Sequence, residues 1–440
     1  MKNLNFYVET LGCPKNRVDM EVYVGKIIDS GGLVVQNPEN ADVIILNSCA
    51  FIQSARQETV DRFFELHSLR RDKNVKMVLT GCLPQLFPNI ADELHEVDIV
   101  VGIDSIPHLH ELLNISTEES SDIISRNPSF IMDFAETRVI SLSPWTAYVK
   151  IADGCDNYCS YCSIPYIRGR YRERVSEDII KEIKILVSRG IKEVVLISQE
   201  TTTYGKNVNT DFAELLRKTD KIEGDFIIRV LYMYPSEITN KILIAMAECS
   251  KVVPYIDMPL QHVNDKVLSA MNRKYSRDDI EKLLLSVDRI LGDEAILRTT
   301  FISGFPAEEK KHHLEMIEFI KGGHFDYMGV FPYSYEEKTE AARLYGSPDE
   351  DLIADRFAEV RNVAVENMEK RLERFPGKET KVLFEEIHEE TFLASGRGLH
   401  QAPEIDGVTY ITNVTSQKPG DILPVRIKQK DGVDFTAEIC

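Results

Sequence analysis

The sequence predicts an α/β protein in three parts: an N-terminal parallel α/β domain, a central partial β/α barrel and a small C-terminal β-barrel. Three observations point to this. Apolar strand-like runs alternate with segments of helical period in the N-terminal part, and the alternation restarts near Trp145. Parallel strands need long crossovers, which helices supply, so such alternation means parallel sheets. Beyond Pro376 the helical pattern stops, and short strand-like runs follow one another between turn residues, as in small barrels. The three parts are expected to span residues 1–135, 140–374 and 376–440.

In the first part, Asn5 to Thr10, Val43 to Leu46 and Lys76 to Leu79 read as strands. Asp19 to Ser30 and Ser54 to Leu69 carry the helical period between them. Each strand runs into a cysteine: Cys13 in LGCPKN, Cys49 in NSCAFI and Cys82 in TGCLPQ. Parallel sheets gather their sites beyond the carboxyl ends of the strands. Three cysteines far apart in sequence therefore share one sheet edge. The plainer alternative is three small buried residues in loops, which is common for free Cys.

In the second part, Thr146 to Ala152 is a strand leading into GCDNYCSYC, which holds Cys155, Cys159 and Cys162. Ser176 to Arg189 is helical and closed by Gly190. Glu193 to Ser198, Phe226 to Tyr232, Tyr255 to Pro259, Ala295 to Ile302 and Tyr327 to Phe331 bring the strands to about six, short of the eight of a full barrel. Ser347 and Pro348 read as N-cap and first position of a helix from Asp349 to Arg374. After Phe375-Pro376-Gly377 come strand-like runs at Thr380 to Ile387, Thr391 to Ala394, Val408 to Ile411, Ile422 to Ile427 and Asp434 to Ile439, expected to pair antiparallel.

Three thiolates in so compact a loop can hold three irons of a cubane that normally takes four cysteines, leaving one iron open. A structural zinc site needs a fourth ligand, and no Cys or His follows Cys162 closely enough to supply it. Zinc and purely structural cysteines are the alternatives. Cys249 and Cys440 stand outside both triads.

The 440 residues carry 52 basic and 71 acidic side chains, a formal charge of −19. Such a surface repels nucleic-acid phosphates and suits a basic protein partner, unless it serves only solubility. MKNLNFYVET has no apolar signal-peptide core, and no stretch has the length of a membrane span, so the expected location is cytoplasmic with no membrane contact. Thiols stay reduced there and are free for metals.

The pattern C-x3-C-x-aromatic-C, with Tyr161 before the last cysteine, resembles that of the radical S-adenosylmethionine (SAM) enzymes. In that family the open iron chelates the amino and carboxylate groups of SAM, whose reductive cleavage yields a 5′-deoxyadenosyl radical. Two cysteine triads in this order, over essentially the whole chain, resemble the radical SAM methylthiotransferases. The resemblance implies two [4Fe-4S] clusters: an auxiliary one on Cys13, Cys49 and Cys82, and the SAM-cleaving one on Cys155, Cys159 and Cys162. It implies SAM contacts from Gln199 and Glu200 after the second barrel strand, Arg298 and Gly304 in ILRTTFISGFP, and, less directly, Gln261 in PLQH and Arg229 in FIIRVLYMYP. It also implies that the last part is a TRAM domain. Arg168, Arg170, Arg172 and Arg174 follow the reactive loop directly, and the expectation is that some hold an acidic substrate group rather than form a solvated strand face.

Within the family, LGCPKN, Gln261-His262 and the acidic tail resemble the branch acting on ribosomal protein S-twelve. Residues 376–440 carry seven basic and eleven acidic side chains, net −4, with a patch at Glu385, Glu386, Glu389 and Glu390. One departure is Tyr333-Ser334-Tyr335-Glu336, where proline is more usual after the serine. The implied reaction is methylthiolation of an aspartate β-carbon on that protein or the small ribosomal subunit, with flavodoxin or a similar electron donor. The alternative substrate is a modified adenosine beside the anticodon of a tRNA.

Overall fold

The computed structural model describes residues 4–70, 74–108, 124–125, 127–132, 137–388, 390 and 393–440. The expected boundary at 135, Glu389 of the acidic patch, and Thr391 and Phe392 of one expected strand lie outside these residues.

The N-terminal part comprises β1 (Asn5–Thr10), α1 (Pro14–Asp29), β2 (Leu33–Val34), β3 (Val43–Ser48), α2 (Gln53–Ser68), β4 (Lys76–Gly81), α3 (Cys82–Leu86) and β5 (Ile99–Val100). The sheet is parallel with order β2-β1-β3-β4-β5. β3 is buried along its whole length, as a central parallel strand must be. α1 starts at Pro14, not Asp19. Proline suits the first helical position, but the polar Lys15 and Asn16 that follow hide the helical period. α1 packs Met20, Tyr23 and Ile27 on its own sheet and turns Val18 and Val22 toward the barrel.

The barrel strands are β6 (Thr146–Lys150), β9 (Glu193–Ile197), β10 (Ile227–Val230), β11 (Tyr255–Asp257), β12 (Ile296–Ser303) and β13 (Tyr327–Pro332). They form two parallel sheets, β10-β9-β6 and β11-β12-β13, joined by a bridge between Ile228 and Val252. Between β6 and β9, β7 (Ala152–Asp153) and β8 (Arg172–Glu173) pair antiparallel and hold the Cys155 loop between them. Strand residues alternate faces. Val149, Leu196, Ile228, Ile256 and Leu297 pack under the helices, while Tyr148, Val195, Tyr255 and Tyr327 fill the interior.

The final helix, Glu350–Leu372, is capped by Asp349, whose side chain accepts from the Leu352 amide at 3.0 Å. Asp349, not Ser347, is therefore the cap. β14 (Glu379–Ile387), β15 (Ala394–Gly398), β16 (Thr409–Thr412), β17 (Ile422–Asp431) and β18 (Asp434–Ile439) close into a barrel of order β14-β15-β16-β18-β17. Its pairs are antiparallel except β16 with β18. The hairpin from β17 to β18 sends the last strand back in the direction of β16.

This small barrel closes the N-terminal end of the large one. Glu193, the first residue of β9, pairs with Arg397 of β15 at 2.5 Å and with Arg229 at 2.7 Å. Trp145 donates its indole N–H to the Glu385 carbonyl at 3.3 Å. The N-terminal domain docks by other contacts. Glu336 of the Tyr333-Ser334-Tyr335-Glu336 segment accepts from the Gln53 amide at 2.9 Å and pairs with Arg56. The departure at Tyr335 thus lies in a clamp between domains. Among the described residues no helix is long and apolar enough to cross a membrane.

Candidate active site between two cysteine triads

Cys13 precedes α1 as its N-cap residue, Cys49 follows β3, and Cys82 opens α3 after β4. All three lie at the carboxyl edge of one sheet. Gly12 has φ +87°, and a Cβ there would fall 2.7 Å from the Cys49 sulfur. Glycine is therefore what brings the first turn against the second thiol. Asn16 ties the strand ends together. Its Nδ2 donates to the carbonyls of Leu11 at 3.2 Å and Ser48 at 2.9 Å, and its own carbonyl accepts from Asn47 Nδ2 at 2.9 Å. Its Oδ1 accepts from Cys82 at 3.3 Å and from Arg168.

Burial raises the Cys13 thiol pKa, but Lys15, Arg168 and two backbone N–H groups outweigh it and hold the group below its ordinary value. Burial pushes Cys49 up and Cys82 up to about 12. Metal binding would have to displace these protons.

The second triad hangs on the β7–β8 ribbon. The Cys155 amide donates to the Gly169 carbonyl at 3.2 Å and that of Cys162 to Cys159 at 3.0 Å. Arg273 donates to the Cys159 sulfur at 3.4 Å. It is fixed by the Pro259 carbonyl at 2.7 Å, the Tyr275 hydroxyl at 2.7 Å and the Tyr234 ring at 4.2 Å. Burial pushes Cys155 up to about 12 and Cys162 further. Among the described residues no three His, Cys, Asp or Glu side chains enclose a single ion. Each triad shares a space without closing round one point.

Gln199 and Glu200 follow β9. The Gln199 and Gln261 side-chain oxygens are buried with no hydrogen-bond partner in the chain. Glu200 is 4% exposed and accepts from Thr202 at 2.9 Å. Burial pushes its carboxyl up to about 7. Gln261 has φ +70°, and its backbone bridges to β12 through Thr300 and Ile302 at 2.7 and 2.8 Å. A strained residue at a strand end with an unmet acceptor is the signature of a built site. Unmet acceptors fit a ligand that brings N–H donors, as the SAM amino group does.

Other expected contacts fall elsewhere. Arg229 lies at the closed end of the barrel, paired with Glu193, donating to the Leu399 carbonyl at 3.0 Å and stacked on Tyr255. It serves the domain junction. Arg298 is third of eight residues in β12 and is held by Asp257 at 3.0 Å and by Asp406, a C-terminal residue, at 3.4 Å. Its charge is committed to two carboxylates, of which Asp257 is the last residue of β11. Gly304 has φ +81°, but a Cβ there would meet Ile353 at 2.8 Å. Packing of the final helix, not ligand approach, requires it.

The arginine run is mostly internal. Arg168 pairs with Asp19 and Asp153, Arg174 with Asp178 and Glu182, and Arg172 donates to the Phe130 carbonyl, while Arg170 is exposed beside Asp156. The expectation that some of them hold substrate is not met by these pairings. Sequence reasoning did not single out Lys15, Asn16 or Arg273. The first two stand inside LGCPKN, where the cysteine drew attention; Arg273 carries no motif signal.

The partial barrel, the cysteine loop at its carboxyl end and the unmet acceptors beside it define a radical SAM enzyme. Residues 149–320 match the radical SAM superfamily, residues 377–440 the TRAM domain, and residues 5–102 a family of uncharacterized proteins, UPF0004. Two solved structures share the fold. A radical SAM methyltransferase, TsrM from Kitasatospora setae, superposes with TM-score 0.54 at 14% identity, covering 76% of this chain and 74% of that one. The cobalamin-dependent SAM radical enzyme OxsB gives 0.52 at 12%, covering 83% and 56%.

Three relatives match nearly end to end, each named ribosomal protein uS12 methylthiotransferase RimO. That of Syntrophus aciditrophicus is 37% identical, covering 100% of this chain and 99% of its own. That of Aquifex aeolicus is 38% identical, covering 97% and 95%, and that of Thermotoga maritima 37%, covering 98% and 99%. The chain belongs to the RimO family of radical SAM methylthiotransferases. SAM and an iron–sulfur cluster follow from that membership.

Proposed function

We propose that this enzyme adds a methylthio group to the β-carbon of an aspartate in ribosomal protein uS12. The observation that carries the reading is the match, along the whole chain, with relatives named for that protein. In this reading residues 1–135 carry an auxiliary cluster, 140–374 the SAM chemistry, and 376–440 recognition. Cys155, Cys159 and Cys162 would hold one [4Fe-4S] cluster, and Cys13, Cys49 and Cys82 a second. When bound, these clusters with SAM supply a carbon-centred radical oxidant and the sulfur and methyl to be transferred.

The chain's own part is placement and exclusion of water. Gln199, Glu200 and Gln261 offer acceptors to the SAM amino group. Arg273 donates to Cys159 and Asn16 to the strand ends around the other triad, and such outer contacts orient metal ligands. The C-terminal barrel closes the far end of the chamber through Glu193, Arg229 and Arg397. Its negative charge suits a basic ribosomal protein better than tRNA phosphates. A ribosomal substrate places the reaction in the cytoplasm, with a flavodoxin-like reductant.

Anaerobically reconstituted enzyme, given SAM and reductant, should form 5′-deoxyadenosine and add a methylthio mass to uS12 offered beside tRNA. Methylthio-adenosine with unchanged uS12 overturns the substrate; absence of 5′-deoxyadenosine overturns the enzyme reading.

A further inference from the structure

Lys15 stands in the first turn of α1, two residues past Cys13, and is only 7% exposed. Its Nζ lies 3.2 Å from the centroid of the Tyr232 ring. Among the described residues no carboxylate comes within the 4 Å of an ion pair. Burial and Arg168 disfavour the charge on Lys15; the Cys13 thiol, then Asp257 and Asp153, favour it, and both carboxylates are taken. Asp257 accepts the Tyr232 amide at 2.9 Å and Arg298 at 3.0 Å. Asp153 accepts Lys150 at 2.9 Å, the Gly154 amide at 2.9 Å and Arg168 at 3.3 Å. Lys150, Arg168 and Arg298, its buried cationic neighbours, each have a carboxylate.

An ammonium out of water with a ring face beneath it and no carboxylate is poorly compensated: a cation–π contact returns less than burial of a charge costs. Tyr232 holds φ +62°, a left-handed conformation that an aromatic residue adopts only where its surroundings enforce it. The fold thus strains one residue to seat a cation whose strongest counter-charge is the Cys13 sulfur beside it and which has no carboxylate partner. The position is between the auxiliary triad, through Cys13, and the barrel interior, through Tyr232 and Asp257.

We propose that Lys15 binds the side-chain carboxylate of the substrate aspartate and presents its β-carbon between the two cysteine triads. The proposal deepens the uS12 reading above and rests on it. One carboxylate supplies the missing partner for one ammonium. A hydrogen bond to a charged group contributes roughly 1.5–3 kcal/mol, about 10- to 100-fold in affinity.

The test uses anaerobically reconstituted holoenzyme, a uS12 peptide carrying the aspartate located by mass spectrometry, and the same peptide with asparagine there. Peptide affinity is read by fluorescence anisotropy for wild type, Lys15→Met and Lys15→Arg, with iron content and SAM affinity measured on the same preparations. Wild type should prefer the aspartate peptide about tenfold or more. Lys15→Met should lose that preference by weakening the aspartate peptide alone, and Lys15→Arg should keep part of it. If Lys15→Met retains the preference and its iron, the lysine assignment fails while the uS12 reading stands. If both variants lose iron or SAM affinity at unchanged preference, Lys15 serves the metal site or the cofactor instead. If wild type ignores both peptides and modifies tRNA, the uS12 reading fails and takes the lysine with it.

Discussion

Replacing Glu200 by glutamine removes a charge while keeping shape, burial and the Thr202 contact. Burial pushes the Glu200 carboxyl up to about 7 from an ordinary value of 4.5. Each pKa step is about 1.4 kcal/mol, so ionising the group in place costs about 3 kcal/mol. A SAM amino group hydrogen-bonded to the carboxylate contributes about 1.5–3 kcal/mol. Glu200→Gln should therefore weaken SAM binding about 10- to 100-fold at pH 8. Near pH 6 the wild-type group is about nine-tenths protonated, so its advantage over the variant should shrink about tenfold between pH 8 and pH 6. Calorimetric titration of anoxic reconstituted enzyme across that range measures both proteins; protons on SAM and on the cysteines are common to both and cancel in the ratio. Stability moves the opposite way. A carboxyl with a raised folded-state pKa lets the folded state hold the extra proton, so folding stability falls as pH rises from 4.5 through 7. Ligand-free Glu200→Gln should thus melt higher than wild type at pH 8 while binding SAM worse. Equal affinity, or an affinity ratio that does not change with pH, refutes the assignment of Glu200 to the amino group.

Three further outcomes follow from the geometry. Arg229→Met leaves the buried Glu193 with one guanidinium fewer, costing about 3 kcal/mol by removal of a buried partner; its thermal midpoint should fall by several degrees with SAM affinity unchanged, whereas a SAM contact would show the reverse. Burial opposes ionisation of Glu193, but Arg397 and Arg229 outweigh it and hold its pKa at about 2. Its contribution is present above pH 4.5 and lost as pH falls toward 2, so acid should undock the C-terminal barrel. The fluorescence of Trp145, the single tryptophan, reports that junction, and Glu193→Gln should flatten the change. Cys82→Ser and Cys159→Ser should each retain about half of the wild-type iron, and only Cys159→Ser should abolish 5′-deoxyadenosine formation; near-complete iron loss from either single variant counts against independent triads.

The strands were legible because buried parallel strands are continuous apolar runs: Val43 to Leu46 needs no more than its composition. Cys13, Cys49 and Cys82 were legible for the same reason, since each follows such a run; Cys155, Cys159 and Cys162 were legible from their spacing in one loop. Depth and direction were not. Arg298 and Ser303 stand in one strand, about 16 Å apart at 3.3 Å per residue, and sequence distance from a motif says nothing about which layer of the barrel a side chain enters. Arg229 was misplaced likewise, because its partner Glu193 lies on another strand and its carbonyl acceptor, Leu399, in another domain. The alternating arginines from 168 to 174 look like an exposed strand face, yet Arg168 and Arg174 are buried by carboxylates from elsewhere in the fold. Lys15 was hidden by its own neighbours: a lysine after Pro14 reads as a helix's solvated first turn until the barrel is placed against it.

The network around Arg168 explains how the two triads keep their relation. Arg168 pairs with Asp19 at 2.6 Å and Asp153 at 3.3 Å, donates to Asn16 and lies 3.9 Å from the Cys82 sulfur. Lys150 joins Asp19 and Asp153 from below. Asp19 belongs to α1 and Asp153 stands two residues before Cys155, so one guanidinium touches the helix behind the first triad and the strand before the second. Buried ion pairs are a weak source of stability, because desolvating each ion costs several kcal/mol and apolar side chains of equal volume do as well. Val18 and Val22 already bind α1 to the barrel by apolar contact. Apolar contact tolerates sliding; a planar fork with fixed donors does not. The charged network is therefore best understood as fixing register between two thiol triads, where a shift of about 1 Å in a reacting pair is enough to lose the reaction.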